Sequence, residues 1–184
     1  MACVLGIDIG TTGCKVVAAD DQGIRHRAYE EYPLSIPEIG AAELETEHVW
    51  QALQGAIRQV TGECKEPPAG LCVSVLGEAV TAVGKDRKPL APTMVSFDRR
   101  PNMYVEQLFQ RISRENIRQI TGLEPLPHYS IFKWMWISNK RPEVYEKVWK
   151  LLCYGELVAV RLGIEPLIDY SMAARTLAFD SDSL

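Results

Sequence analysis

An acid, two hydroxyls and a lysine gather around a glycine-bracketed turn in the segment Val4-Leu-Gly-Ile-Asp8-Ile-Gly10-Thr11-Thr12-Gly13-Cys14-Lys15-Val-Val-Ala-Ala-Asp20. Asp8 stands inside a β-branched apolar run, where a carboxylate needs a partner, and a bound metal is one such partner. Gly10 and Gly13 permit backbone conformations that other residues resist. Thr11 and Thr12 bring hydroxyl donors, and the amides of such a turn can point at an anion. The chemistry on offer is a phosphate cradle. It is not a P-loop, which needs Lys directly after its last Gly and then a helix; here Cys14 intervenes and Val-Val-Ala-Ala follows as strand. The G-x-G-x-x-G spacing of a dinucleotide fold is also missing. What remains is a strand–turn–strand hairpin that grips phosphates from its tip.

The elements that must position this hairpin are readable from pattern. Val4–Ile9 and Lys15–Ala19 are expected strands, and a third follows Asp20-Asp-Gln-Gly23 over Ile24–Tyr32, making a meander. Pro33–Glu45 reads as a loop. Thr46 is an expected helix N-cap, with Trp50, Leu53, Ile57 and Val60 at three- and four-residue spacing and Gly62 closing the helix. After the linker Pro67–Gly70, Leu71–Leu76 reads as a buried strand and Thr81–Val83 as a short one, with Lys85–Lys88 a solvated turn. Helices are expected over Asn102–Ser113, Glu115–Gly122, Tyr129–Asn139, Pro142–Lys150 and Glu156–Leu162. The aromatic run Phe132, Trp134, Trp136 is read as core rather than a ligand box. Strands first and helices later suit an α/β sheet covered by helices.

Composition narrows the classes. The 184 residues, 47% hydrophobic, suffice for one sizeable core or one large lobe. A net charge of −4 with scattered basic residues argues against a nucleic-acid partner. No apolar run approaches a membrane span, and the start lacks a signal-peptide pattern, since Asp8 breaks its apolar run. Five cysteines, Cys3, Cys14, Cys64, Cys72 and Cys153, include no C-x-x-C pair and fit reduced thiols in a cytoplasmic protein, with Cys72 and Cys153 expected to pack in apolar surroundings. The three histidines, His26, His48 and His128, are isolated and make no metal cluster; His26 and His48 read as surface residues.

The opening hairpin resembles the first phosphate motif of the actin-like ATPase superfamily. Further segments resemble one of its branches, the FGGY carbohydrate kinases. Gly40-Ala-Ala-Glu43-Leu-Glu45-Thr-Glu-His-Val-Trp50 is similar to their G-x-x-E-x-D-P-x-x-W, and Lys88-Pro-Leu-Ala-Pro92 with Asp98-Arg99-Arg100 to their K-P-L-x-P…D-x-R. Ile120-Thr-Gly-Leu123, then Tyr129-Ser130 with Lys133 and Trp136, match the next stretch. Asp169-Tyr-Ser-Met-Ala-Ala-Arg175-Thr176 with Phe179-Asp180 resembles their D-x-S-x-A-S-R-T…F-D signature. The resemblance runs in order through residues 1–184.

It implies a ribonuclease-H-like fold, a mixed sheet flanked by helices, and one N-terminal kinase domain spanning 1–184. The implied activity is transfer of the γ-phosphoryl of ATP to a hydroxyl of a sugar or polyol, with ATP and Mg²⁺ as cofactors, by positioning and charge neutralisation. Asp8 would hold Mg²⁺ through water, and Gly10, Thr11, Thr12, Gly13 and Lys15 would attend the phosphates. The substrate would meet Glu78, where glycerol kinases carry the Glu of an Arg-Glu pair, together with Asp98, Arg99, His128 and Tyr129. Gly77 departs from the glycerol-kinase Arg, the xylulose-kinase Gln-Met-His-Gly is absent, and Ser96 stands where many members place Trp. The family's general-base Asp and nucleotide lobe are expected beyond Leu184, so that residues 1–184 alone are expected to be inactive. A homodimer through an unpaired Leu71–Leu76 edge is a further expectation. The alternative is a stand-alone, non-catalytic sugar- or phosphate-binding module.

Overall fold

The computed structural model describes residues 3–183, which divide into two compact units, residues 3–34 with 44–76 and residues 35–43 with 77–183. In the first unit, β1 (Val4–Ile9), β2 (Gly13–Asp20) and β3 (Gly23–Glu31) form the expected antiparallel meander. Helix α1 (Thr46–Gly62) then carries the chain to β4 (Gly70–Val75), which lies parallel to β1. A parallel neighbour requires such a crossover, because a tight turn can only reverse direction. The sheet order is β3-β2-β1-β4, and it is mixed.

Alternation along the strands decides what α1 covers. Leu5, Ile7 and Ile9 of β1 and Cys14, Val16 and Ala18 of β2 point to one face and are buried. Val49, Leu53, Ala56 and Val60 of α1 are buried in turn, at helical spacing. The helix contacts β2 and β3, and β4 lies at the far side of the sheet. This overturns one expectation. The strand over 70–75 exists but is not buried: Leu71 is 46% exposed and Cys72 is exposed too. An apolar run of that length is equally compatible with an open edge strand, which is what β4 is among the described residues.

In the second unit, β5 (Thr81–Gly84) pairs antiparallel with β6 (Val148–Leu152). The expected helix over Pro142–Lys150 therefore stops early, as α5 (Pro142–Tyr145), because Val-Trp-Lys-Leu-Leu supplies β-branched and aromatic residues that pair with β5 instead. The expected helix over Asn102–Ser113 is a 3₁₀ turn, Arg100–Tyr104, followed by α2 (Val105–Phe109). Then come α3 (Arg114–Thr121), capped by the Ser113 hydroxyl and ended by Gly122 in the left-handed conformation, and α4 (Ser130–Lys140). Helix α4 serves two apolar clusters: Ile137 packs with Val80, Ala82, Met94 and Val144, while Phe132 packs with Tyr104, Ile117, Tyr129 and Leu177. Its aromatics are core, as their composition implied. Helix α6 (Tyr154–Arg161) follows β6, and the short α7 (Tyr170–Ala174), capped by Asp169, closes the unit.

These burials predict a contrast. Leu53→Ala, at a position 1% exposed, should cost about 2–5 kcal/mol in urea unfolding. Leu71→Ala on the open strand should stay within about 0.5 kcal/mol of wild type; a comparable loss at both sites would show that β4 is covered.

Candidate functional site

The hairpin tip in the first unit is built by register. Asp8 pairs with Lys15 across β1 and β2, Lys15 with Tyr29 on β3, and Asp8 with Ser74 on β4. Period-two alternation therefore lines up Ser74, Asp8, Lys15 and Tyr29 as one polar row on the sheet face opposite α1. Asp8 is not held in an apolar setting, as its sequence neighbours implied; its side chain is 57% exposed. The Lys15 ammonium lies 3.9 Å from the carboxylate and 5.9 Å from the centroid of the Tyr29 ring. An ion pair this open contributes little to stability, so both groups remain available to a ligand.

The glycines of the turn act differently from the expectation. Neither Gly10 nor Gly13 is in the left-handed region. At Gly13 a Cβ would stand 2.6 Å from the Tyr29 hydroxyl, so a side chain there would displace the exposed Tyr29 ring. The Gly10 amide donates to the Gly13 carbonyl at 2.9 Å, and the Gly10 carbonyl accepts from the Tyr32 hydroxyl at 2.7 Å. The Gly10 amide is thus spent within the turn. Thr11 and Thr12 differ: among the described residues neither hydroxyl nor amide has a hydrogen-bond partner, although the Thr12 carbonyl accepts from the Tyr32 amide. A carboxylate, an ammonium and two free hydroxyls at one hairpin tip fit the phosphates of a nucleotide and a hydrated cation. Among the described residues no cluster of three His, Cys, Asp or Glu side chains exists to hold a metal unaided. Asp8 would share such a cation with phosphate oxygens, the usual arrangement for Mg²⁺.

The second unit holds a separate cluster around Glu78. This residue is 4% exposed and sits at φ +56°, left-handed backbone that a non-glycine residue adopts at a cost. Its Oε1 lies 2.5 Å from Arg175 Nε and 4.0 Å from His128 Nε2. The Arg175 contact is an ion pair without hydrogen-bond alignment, and Oε1 is buried with no hydrogen-bond partner. The Arg175 guanidinium passes close to Gly77, where a Cβ would lie in ordinary contact, 3.5 Å from its Nε. Lys133, fully buried on α4, donates to the His128 carbonyl at 2.6 Å. Burial pulls its ammonium down to about 8, against the opposing pull of Glu78 and Asp98.

The structure brings Glu78 and His128 together and sets the other expected contacts aside. Asp98 is buried and its oxygens accept from the Arg100 guanidinium, at 2.6 Å for the nearest pair, and from the Ala42 amide at 3.1 Å. Arg100 also pairs with Glu43 at 2.5 Å and stacks 4.5 Å from the Trp136 ring centroid. Burial would lower the guanidinium pKa, but the bonds to Asp98 and Glu43 outweigh it and hold the group more firmly charged than usual. With its acceptors filled, Asp98 is an anchor for the 38–43 loop. Arg99, exposed, contributes its amide to the Gly40 carbonyl. Tyr129 is 6% exposed, packed in the Phe132 cluster with its ring 4.4 Å from His128. Lys133 and Arg175 are the functional candidates that sequence reasoning missed; both lay inside matched motifs, without a role attached.

The Lys133 environment carries a signed prediction. Its folded value, about 8, lies below the ordinary 10.5, so between the two the unfolded chain binds more protons and stability rises with pH. Below about pH 8 both states are protonated and the slope vanishes. Urea unfolding of wild type minus Lys133→Met across this window should show that rise; a flat difference would refute the burial of a charge there.

The comparisons agree with one another. A Bacillus subtilis gluconokinase is 30% identical over 175 residues, covering 94% of this chain and 34% of its own length. A glycerol kinase from Janthinobacterium is 30% identical over 190 residues, covering 98% of this chain and 38% of its own. The chain thus spans little more than a third of the relatives it matches. Among solved structures, gluconate kinase from Lactobacillus acidophilus aligns with a TM-score of 0.91 at 26% identity, over 99% of this chain and 37% of that one. Ligand-bound xylulose kinase from the same organism aligns at 0.92 and 26%, over 100% and 38%. The model of the FGGY family of carbohydrate kinases, N-terminal domain, matches residues 3–184, and with that match the chain belongs to this family.

Proposed function

We propose that this chain is the N-terminal domain of an ATP-dependent kinase that moves a phosphoryl group onto a hydroxyl of a sugar, polyol or sugar acid. The observation that carries the reading is the buried Glu78 Oε1, an acceptor without a hydrogen bond beside Arg175 and His128. The Arg175 guanidinium offsets the charge of that oxygen, and its remaining lone-pair directions can accept hydroxyl hydrogens from a polyhydroxylated ligand. Arg175 beside it suits an electron-rich oxygen of the same ligand.

The hairpin tip takes the phosphate side of the reaction. Thr11 and Thr12 offer hydroxyls and amides to phosphate oxygens, and Lys15 offers a mobile positive charge. Asp8 would orient a hydrated Mg²⁺, which when bound neutralises charge on the transferring phosphoryl group. Each of these groups is open to solvent in the ground state, so their contribution is positioning and electrostatics rather than covalent chemistry. The relatives named above are kinases and lend no support to a non-catalytic binding module.

The test uses full-length protein with ATP, Mg²⁺ and gluconate, xylulose and glycerol in turn, with ADP release as the readout. One substrate is expected to stimulate release. Glu78→Gln should then lower kcat/KM for that substrate about 10–100-fold, the loss of a charge-assisted hydrogen bond, with the KM for ATP little changed. Absence of stimulation across a broad sugar and polyol panel, or an unaltered sugar KM in the variant, would overturn the reading.

A further inference from the structure

Outside the two sites, the first unit places two thiols against each other. Cys3 Sγ lies 3.5 Å from Cys64 Sγ, and Cys64 Sγ is in turn 3.4 Å from the Val60 carbonyl it donates to. The pair joins distant points of the chain, the residue before β1 and the segment just past the end of α1. Cys3 is buried and Cys64 is half-buried. Beside the pair opens a cleft of about 400 Å³, with His26, Lys65, Glu63 and Glu66 on its walls.

We infer that Cys3 and Cys64 form a reversible dithiol–disulfide site, oxidised by a small charged disulfide of the glutathione type entering through that cleft. Geometry supports it in two ways. The sulfurs are already in contact at 3.5 Å, and closing to a bond near 2.05 Å asks for a displacement of about 1.5 Å. Neither residue is locked in a ladder or a helix: Cys3 precedes β1, and Cys64 begins the irregular stretch to Ala69 that contains Pro67 and Pro68. The cleft walls carry both signs of charge, which suits a zwitterionic peptide disulfide better than a simple anion or cation.

The chemistry balances. Cys64, the more accessible thiol, loses its proton and attacks one sulfur of oxidised glutathione, whose S–S bond breaks and releases one glutathione thiolate to be protonated by water. Cys3 then loses its proton and attacks Cys64 Sγ, expelling the second glutathione. Two cysteine thiols are oxidised, and one small disulfide is reduced to two thiols. The hydrogen bond from Cys3, followed by partial burial, raises the Cys64 pKa, so the reaction should quicken as pH rises. The remaining thiols are separate in kind: Cys14 and Cys153 are buried, and burial with the nearby Glu156 pushes the Cys153 thiol up to about 12, while Cys72 is exposed on the open strand. This inference is independent of the kinase reading.

The experiment treats folded full-length protein with oxidised glutathione, blocks the remaining thiols, and maps cross-linked peptides by mass spectrometry. The expected product is an intramolecular Cys3–Cys64 link, reversed by dithiothreitol and absent in Cys64→Ser. Closing so long a loop should raise Tm by about 5–15 °C. A stable glutathione adduct on Cys64 that Cys3 never displaces would overturn the inference. So would modification confined to Cys72, or a link that forms only in denaturant. Because the wild-type map decides the matter, a variant that folds poorly leaves the test intact.

Discussion

The register of the first hairpin is the constraint on which the first unit rests. With Asp8 opposite Lys15, the apolar residues of β1 and β2 that face α1 are buried, and Asp8 and Lys15 face away. A slip by one residue would carry Asp8 and Lys15 under the helix and turn Ile7, Ile9 and Val16 outward. Burying those two charges without full pairing costs far more than their open ion pair returns. The same alternation that makes the core therefore presents the candidate phosphate-binding groups, and a change in the core register would abolish the site with the fold. Tyr29 ties the two together: its ring occupies the space a side chain at Gly13 would need and lies beside Lys15.

In the second unit, the arithmetic of satisfaction separates structural acids from functional ones. Asp98 and Glu78 are both buried carboxylates. Asp98 accepts from a guanidinium and a backbone amide, so its desolvation is repaid inside the protein. Glu78 has an ion pair to Arg175 but leaves Oε1 without a hydrogen bond, and its backbone is held left-handed. The two acids thus differ in what they leave available: Asp98 is filled by its own chain, while Glu78 meets only an arginine and a histidine edge.

Much of the fold was legible because its signals are local. The meander and the crossover helix follow from period and turn residues. What escaped was set by neighbours far along the chain. Val148–Lys150 reads as the end of a helix until Thr81–Gly84 is there to pair with it. Leu71 reads as core until the sheet order places its strand at the far edge from β3. For the site, residue type was a fair guide to exposure at Thr12 and Lys15, but not at Asp8, whose apolar sequence neighbours hid that its side chain points to the open face. It was a poor guide at Asp98 and Tyr129, whose partners, Arg100 and the Phe132 cluster, decide whether their polar atoms are free.

Gly77 shows why a motif read position by position misjudges such a site. Compared along the chain, it is a departure from an Arg-Glu pair and suggests a lost cation. In space a cation beside Glu78 is present, supplied by Arg175, which passes in ordinary contact distance of residue 77. An arginine at 77 as well would crowd the guanidinium already there. The carboxylate at 78 thus meets Arg175, an arginine from nearly a hundred residues later in the chain. That arginine leaves from the C-terminal end of α7, whose cap at Asp169 fixes the short helix. The orientation of the charge next to Glu78 thus depends on a capping bond in a segment that has no chemistry of its own.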